Sequence, residues 1–288
     1  MIIRSLEIGV AVNDLEKISQ KIAFVFEADK GKSIAASEYN MTAQMIRIGN
    51  IEFELMEPLN QKGLIEKFIQ QRGQGLHHIA FQVDDIIHTI DEMKQRGVVM
   101  LNEEPIQTHG MKAAFLHPDS FCGVLIELIE GSPRWVNASP LPLELQSPAS
   151  SRGVGAEGLL SIGIMVEDVA SAAEIYSNAL GTSQSNTYTS DECLTESCTF
   201  RVGNVDLKLI QIPKKGAETN LFFKQNRPGL NHLVIKVENL RRSLEFLKKH
   251  GIGFECDHIF SAAPIPVIAL NPEEFGGIPI LLKDSIMN

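Results

Sequence analysis

Four polar side chains in the first 130 residues stand at matching places in a repeating strand pattern. Glu7 and His78 lie in the first strand of two successive units, and Glu54 and Glu127 lie in the last strand of the same two units. Three carboxylates in one concavity repel one another unless a positive charge lies among them, and a divalent cation supplies that charge. A carboxylate and imidazole set at these four positions therefore predicts a metal site.

Alternation along the strands is the reason to group these residues. Successive strand residues point to opposite faces, so Glu7 shares a face with Gly9, and His78 shares a face with Ala80. The small neighbours leave space beside the polar set. Taken singly, each glutamate is more often a solvated strand residue and the histidine a hydrogen-bonded core residue. A concave glutamate face without any ligand is therefore an open alternative.

An internal repeat fixes the organisation of the chain. The segment IGVAVNDL at residues 8–15 returns as IGIMVEDV at 162–169, and GLHH at 75–78 returns as GLNH at 229–232, both 154 residues later. A fainter offset of 71 residues relates VAVNDL at 10–15 to FQVDDI at 81–86. One constant offset over a whole half predicts a tandem duplication in which each half is itself doubled.

Each repeated unit has the same predicted order of elements. An alternating strand is followed by Asp or Asn as a helix cap, by apolar residues at helical spacing over 13–22, and then by three strands. Two of these strands are predicted at about 42–48 and 51–57, joined by a Gly49-Asn50 turn. The order βαβββ occurs four times, which predicts an α+β fold with two tandem domains.

The domain boundaries follow from composition. We predict a first domain over 1–131, a linker over 132–156 that is rich in Pro, Ser and Gly, and a second domain over 157–288. Trp135 and the apolar stretch 141–145 are expected to pack back onto a domain. A monomer and a homodimer are both compatible with the duplication.

Composition excludes some classes of partner. The net charge of −10 without a basic patch argues against nucleic acid. Glu7 interrupts the apolar start that a secretory signal needs, and no apolar stretch is long enough to span a membrane. The cysteines form no Cys-x-x-Cys pair, so we expect reduced thiols in a cytoplasmic protein. These cysteines are Cys122, Cys193, Cys198 and Cys256.

Several segments resemble a known superfamily. They are IEFELMEPL at 51–59, GLHHIAFQVDDI at 75–86 and FLHPDSFCGVLIELIE at 115–130. With them the chain resembles the vicinal oxygen chelate superfamily, and its first half resembles the methylmalonyl-CoA epimerase branch. The resemblance implies glyoxalase-like domains with curved mixed sheets around a cleft. It also implies one divalent metal (Mn, Co, Ni, Zn, Mg or Fe) held by Glu7, Glu54, His78 and Glu127.

Two positions depart from the family pattern. The epimerase and glyoxalase patterns have histidine where this chain has Glu7, so three carboxylates and a dication leave a net charge of −1 and a weaker Lewis acid. The epimerase pattern tends to have lysine where this chain has Asp119, which weakens the case for an anionic ligand, although Lys112 could partly substitute. In the second half the four positions become Ser161, Lys208, His232 and Leu281, so we expect no metal there.

The resemblance implies a metal-dependent isomerase or lyase that abstracts a proton next to a carbonyl or thioester. Glu54 and Glu127 are the predicted catalytic bases, with His109 and His117 as nearby polar candidates. The expected partner is a small molecule, such as an acyl-CoA or a thiol adduct. The alternatives are a non-catalytic small-molecule binding protein of the bleomycin-resistance type and, ranked lower, an extradiol dioxygenase, which usually needs two histidines and one carboxylate.

Overall fold

The computed structural model describes residues 2–108, 110–131, 153–181, 186–190, 195–212, 227–257 and 267–284. The elements of the first half are β1 (Ile2–Ala11), α1 (Leu15–Phe26), β2 (Asp29–Ala36), β3 (Met41–Ile48), β4 (Ile51–Pro58), α2 (Leu64–Arg72), β5 (Gly75–Val83), α3 (Ile86–Gln95), β6 (Ile106–Thr108), β7 (Met111–Leu116) and β8 (Leu125–Glu130). Those of the second half are β9 (Ala156–Val166), α4 (Val169–Leu180), β10 (Asn186–Ser190), β11 (Thr195–Val202), β12 (Val205–Gln211), β13 (Gly229–Val237), α5 (Leu240–Lys249), β14 (Phe254–Asp257), β15 (Val267–Leu270) and β16 (Ile280–Asp284).

The α+β fold with four βαβββ units is confirmed. Each half forms an eight-stranded mixed sheet, in the order β2-β3-β4-β1-β5-β8-β7-β6 and β10-β11-β12-β9-β13-β16-β15-β14. The first strands of the two units in a half pair antiparallel at the centre of the sheet, and each pairs parallel with the last strand of its own unit. The four central strands of the first sheet are therefore β4, β1, β5 and β8.

The helix that follows each first strand begins at a side-chain cap. Asp14, Asp85, Asp168 and Asn239 each accept a hydrogen bond from the backbone N–H three residues later. Such a bond satisfies one of the N–H groups that a helix start leaves without a partner. The helix predicted at 13–22 extends to Phe26, where Glu27 adopts a left-handed conformation and ends it.

The helix-side faces of the two sheets form the main core. Ile8 and Val10 of β1 are fully buried there, as are Ile162 and Ile164 at the equivalent places of β9. This agrees with the period-2 pattern in the sequence. The opposite faces carry the polar strand residues.

The two halves pack against each other within the chain. The buried Tyr176 hydroxyl donates to the backbone oxygen of Phe121 at 3.0 Å. Lys21 forms an ion pair with Glu274 at 2.5 Å, and the Leu159 N–H donates to the side chain of Asn50. The contacts join residues on either side of the proposed linker, so one chain contains both partners of this interface.

Most of the proposed linker, including Trp135 and residues 141–145, lies outside the described residues. The domain boundaries at 131 and 156 therefore stay a prediction. Cys193 also lies outside that part of the chain, whereas Cys122 and Cys198 are free thiols. In the part of the chain that the structure describes, no helix is both long enough and apolar enough to cross a membrane.

Candidate metal centre

The four predicted ligands lie on the four central strands of the first sheet, one on each. Glu54 is on β4, Glu7 on β1, His78 on β5 and Glu127 on β8. Gly9 pairs with Glu54 on one side and with His78 on the other. The four side chains therefore come from adjacent strands and share the face opposite the helices.

Gly9 provides the space that the imidazole of His78 fills. A Cβ atom at Gly9 would lie 2.1 Å from Cε1 and 2.2 Å from Nδ1 of His78. Any larger residue would displace the ring, because real Cβ atoms do not approach other atoms so closely. The glycine in the first strand is therefore part of what positions the histidine.

Three of the four side chains meet closely. One ligand atom each of Glu7, Glu54 and His78 lies within 4.8 Å of the other two. The fourth residue, Glu127, places Oε2 3.3 Å from Nε2 of His78, and Oε2 of Glu54 lies 3.9 Å from the same nitrogen. The structure thus brings all four predicted residues to one place, with His78 in contact with two carboxylates.

The centre is nearly closed to solvent. Glu7 is 6% exposed, His78 4% and Glu127 9%. Among the described residues, none forms a hydrogen bond of good geometry with the buried Nε2 of His78. A buried polar atom without a partner costs free energy, so it normally has a partner or a functional reason.

Burial and mutual repulsion change the ionisation of the carboxylates. Burial raises the pKa of Glu7 well above its usual value, and the carboxylates of Glu54, Glu127 and Glu52 raise it further. Burial also raises the pKa of Glu54, to about 7, although His78 opposes this shift and Glu127 adds to it. Without a cation, the fold therefore holds these groups in an environment that disfavours their charged forms.

The adjacent histidines have different environments. Burial lowers the pKa of His78, but the carboxylates of Glu127 and Glu54 raise it by more, so the net shift is upward. Burial lowers the pKa of His77 to about 3, and the nearby positive charges of His78 and Arg72 act in the same direction. The environment of His77 therefore favours its neutral form, whereas the carboxylates around His78 favour its protonated form.

These residues fit a divalent cation. Carboxylate oxygens and one imidazole nitrogen suit Mn, Mg, Zn and related ions. A cation at the centre would be bound by Nε2 of His78, which otherwise has, among the described residues, only ion-pair contacts with Glu127 and Glu54, and would offset the repulsion that raises the pKa of Glu7 and Glu54. The donor chemistry does not select one metal from this group.

The corresponding face of the second sheet has different chemistry. Lys208 takes the place of Glu54, and burial together with the charge of Lys283 lowers its pKa. His232 lies over Gly163 as His78 lies over Gly9, and burial lowers its pKa to about 3, with Lys208 contributing. Leu281 is buried among apolar side chains. Of the four positions, Lys208 is basic and none carries a carboxylate, so the ligand set of the first half is not repeated here. That this half holds no metal stays a prediction.

The other polar candidates serve different purposes or lie elsewhere. Nδ1 of His117 accepts from the Asp119 backbone N–H and caps a short 3-10 helix. Lys112 forms an ion pair with Glu130 at 2.6 Å. His109 lies outside the described residues.

A comparison with protein families decides the relationship. The profile of the Glyoxalase/Bleomycin resistance protein/Dioxygenase superfamily matches residues 7–115 and again 161–267, which together are more than half of the chain. The chain belongs to this superfamily. Both copies of the predicted duplication are matched, one over 7–115 and the other over 161–267, so the chain contains two glyoxalase-type halves.

Curated relatives in the superfamily include epimerases. The chain is 33% identical over 123 residues to mitochondrial methylmalonyl-CoA epimerase of Bos taurus, a match that covers 42% of this chain and 70% of that protein. It is also 33% identical over 131 residues to the ethylmalonyl-CoA/methylmalonyl-CoA epimerase of Cereibacter sphaeroides, covering 44% of this chain and 98% of that protein. Each match covers less than half of this chain, so these relatives correspond to one of its two glyoxalase-type halves.

A solved structure matches over both halves. A mutant of 4-hydroxymandelate synthase from Streptomyces coelicolor superposes with a TM-score of 0.71, covering 98% of this chain and 92% of that one. The sequence identity is 14%, so this likeness shows the two-domain glyoxalase-type fold and carries no statement about activity.

Two features near the centre were not predicted from the sequence. Helix α2 packs Phe68 against His77, with ring centroids 4.7 Å apart. His77 itself lies beside His78, because β5 has a bulge opposite β1. The two adjacent histidines at 77–78 are visible in the sequence. Strict strand alternation, however, would place His77 on the helix side of the sheet, away from His78.

Proposed function

We propose that this chain is a divalent-metal-dependent enzyme that moves a proton on the carbon next to the carbonyl of a thioester, as in the methylmalonyl-CoA epimerase branch. The carrying observation is the buried cluster of Glu7, Glu54, His78 and Glu127, in which Nε2 of His78 lacks a well-formed hydrogen bond. The epimerases among the curated relatives support the choice of an acyl-CoA substrate.

The ligand roles follow from the arrangement. Glu7, Glu54, His78 and Glu127 would hold the metal. When bound, the metal would polarise the carbonyl next to the reacting carbon and so favour loss of the adjacent proton.

The proton chemistry falls to two carboxylates. Glu54 and Glu127 lie on β4 and β8, which flank the central pair β1 and β5, and so approach the centre from two sides. An epimerisation needs one group that removes the proton as a base and a second group that returns a proton, as an acid, on the opposite face. Glu127 lies 3.3 Å from Nε2 of His78 and Glu54 lies 3.9 Å from the same nitrogen, so both carboxylates are within reach of a substrate at the centre.

Exchange of the reacting proton with solvent is the direct test. The metal-loaded chain is incubated in D2O with methylmalonyl-CoA and, separately, with the hemithioacetal of methylglyoxal and glutathione, and deuterium in each compound is followed by mass spectrometry. We expect deuterium at the α-carbon of the thioester, lost in both Glu54→Gln and Glu127→Gln but kept in the surface control Glu38→Gln. Exchange into the hemithioacetal alone would assign the glyoxalase-type reaction instead.

A non-catalytic binding protein is the second candidate, favoured by one observation. Because Glu7 is a third carboxylate, the three carboxylates and a dication together carry a net negative charge. That charge makes the metal a weaker Lewis acid. A metal-loaded chain that binds the thioester or the hemithioacetal but exchanges no proton in either would overturn the enzymatic proposal and support this candidate.

A further inference from the structure

Strand β5 carries one extra residue beside the metal centre. Gly9 of β1 pairs with His78 and Val10 pairs with Leu76, so His77 has no partner on β1. A bulge of this kind redirects the side chain of the extra residue. Here it brings Nδ1 of His77 to 3.0 Å from Nδ1 of His78, with the two rings nearly perpendicular at 85°.

A hydrogen bond between two Nδ1 atoms requires a proton on only one of them. If His77 carries it, a neutral His78 has its own proton on Nε2, and this nitrogen cannot bind a metal. If His78 carries it, Nε2 of His78 has a free lone pair that faces the carboxylates. The direction of this one hydrogen bond therefore decides whether His78 can act as a ligand.

We propose that His77 accepts the hydrogen bond from Nδ1–H of His78 and so holds His78 in the tautomer whose Nε2 binds the metal. His77 is thus a positioning residue, and this inference rests on the proposed metal site. The edge-to-face contact with Phe68 holds the His77 ring in place, so the acceptor atom is fixed before a metal arrives. Such partners commonly orient a histidine ligand and raise its basicity.

The second half shows the same arrangement with a different side chain. Asn231 occupies the equivalent bulge in β13, since Gly163 pairs with His232 and Ile164 pairs with Leu230. Oδ1 of Asn231 lies 2.8 Å from Nδ1 of His232. An amide oxygen carries no hydrogen, so His232 must be the donor. Both halves therefore have a group that can accept a hydrogen bond at this position. The histidine donates in the second half, and this indicates that His78 donates in the first.

The duplication supplies the matched variants for a test. His77→Asn copies the second half and keeps an acceptor, whereas His77→Leu removes it. Binding of Zn²⁺ to the full chain is measured by competition with a chromophoric chelator. We expect His77→Leu to lose about 10- to 100-fold in Zn²⁺ affinity. His77→Asn should stay within about threefold of the unchanged chain. A loss of packing alone would weaken both variants.

A spectroscopic measurement reads the tautomer without relying on the variants. In the Zn²⁺-loaded chain, ¹⁵N NMR of the histidine rings should show the proton of His78 on Nδ1, and it decides the inference even if His77→Leu fails to fold. A proton on Nε2, or unchanged Zn²⁺ affinity in His77→Leu, would overturn the role of His77 while leaving the metal site intact. Failure of the unchanged chain to bind Zn²⁺, Mn²⁺ or Co²⁺ would overturn the proposed function, and this inference with it.

Discussion

Removing one buried carboxylate should stabilise the metal-free protein. In the unfolded chain Glu54 loses its proton near pH 4.5, whereas in the folded protein its pKa is about 7 because burial outweighs the opposing effect of His78. Between these two pH values the folded state binds more protons than the unfolded state. The free energy of unfolding therefore falls as the pH rises through this window.

The size of the effect follows from the same pKa. At about 1.4 kcal/mol per pH unit, the difference between 4.5 and about 7 corresponds to about 3 kcal/mol of stability lost above pH 7. Glu54→Gln has the shape of the protonated residue and never acquires the charge. We therefore expect the variant to match the unchanged chain near pH 4.5 and to exceed it by up to about 3 kcal/mol at pH 8.

Urea denaturation in EDTA at pH 4.5 and pH 8 measures this difference, with the exposed Glu38→Gln as the control. Adding Mn²⁺ at pH 8 should reverse the order, because a metal that binds only the folded state stabilises it in proportion to its affinity and the variant has lost one ligand. A stability difference that is the same at both pH values would show that the charge on Glu54 does not destabilise the folded protein. So would a Glu54→Gln chain that is less stable than the unchanged chain in EDTA at pH 8.

Three further outcomes are expected. Gly9→Ala should lower metal affinity by at least about tenfold, measured by chelator competition, because its Cβ would lie 2.1 Å from the His78 ring. Tyr176→Phe should cost about 1–2 kcal/mol in urea denaturation, because it leaves the buried backbone oxygen of Phe121 without the hydroxyl at the interface of the two halves. Metal affinity should fall by at least about tenfold per pH unit below pH 7, measured by calorimetry at pH 6, 7 and 8, because Glu54 must release a proton to bind and Glu7, whose pKa is also raised, adds to the proton release.

The duplication and the four strand positions could be predicted because they depend on local patterns. A constant offset relates IGVAVNDL at 8–15 to its copy at 162–169, and period-2 alternation gives each strand its two faces. The helix caps at Asp14 and Asp85 also depend only on neighbours in the sequence. These features do not require knowledge of the tertiary structure.

Features that depend on contacts distant in sequence could not be predicted. Helix α2 buries only Ile65 fully, and its Phe68 contacts His77, a partner that the pattern within 59–74 does not reveal. His77 falls on the helix side by strict alternation, and only the bulge opposite Gly9 and Val10 brings it beside His78. A single extra residue changes the face on which a side chain lies, and nothing in a period-2 pattern marks where it occurs.

The packing of the two halves is another feature of this kind. The bond from Tyr176 to Phe121 and the ion pair of Lys21 with Glu274 join residues far apart in the chain. The repeat is compatible with halves that pack within one chain and with halves that pair across a dimer. The contacts in the structure show the first arrangement.

Elemental analysis of the full chain tests the metal site of the first half most directly. The chain is purified without chelators and without a histidine tag and is then supplied with Mn²⁺, Co²⁺ or Zn²⁺. We expect about one metal ion per chain. We also expect that metal to be lost in His78→Ala and kept in His232→Ala, the same change at the equivalent buried position of the second half. Absence of metal from the unchanged chain, or equal metal content in all three proteins, would contradict this expectation.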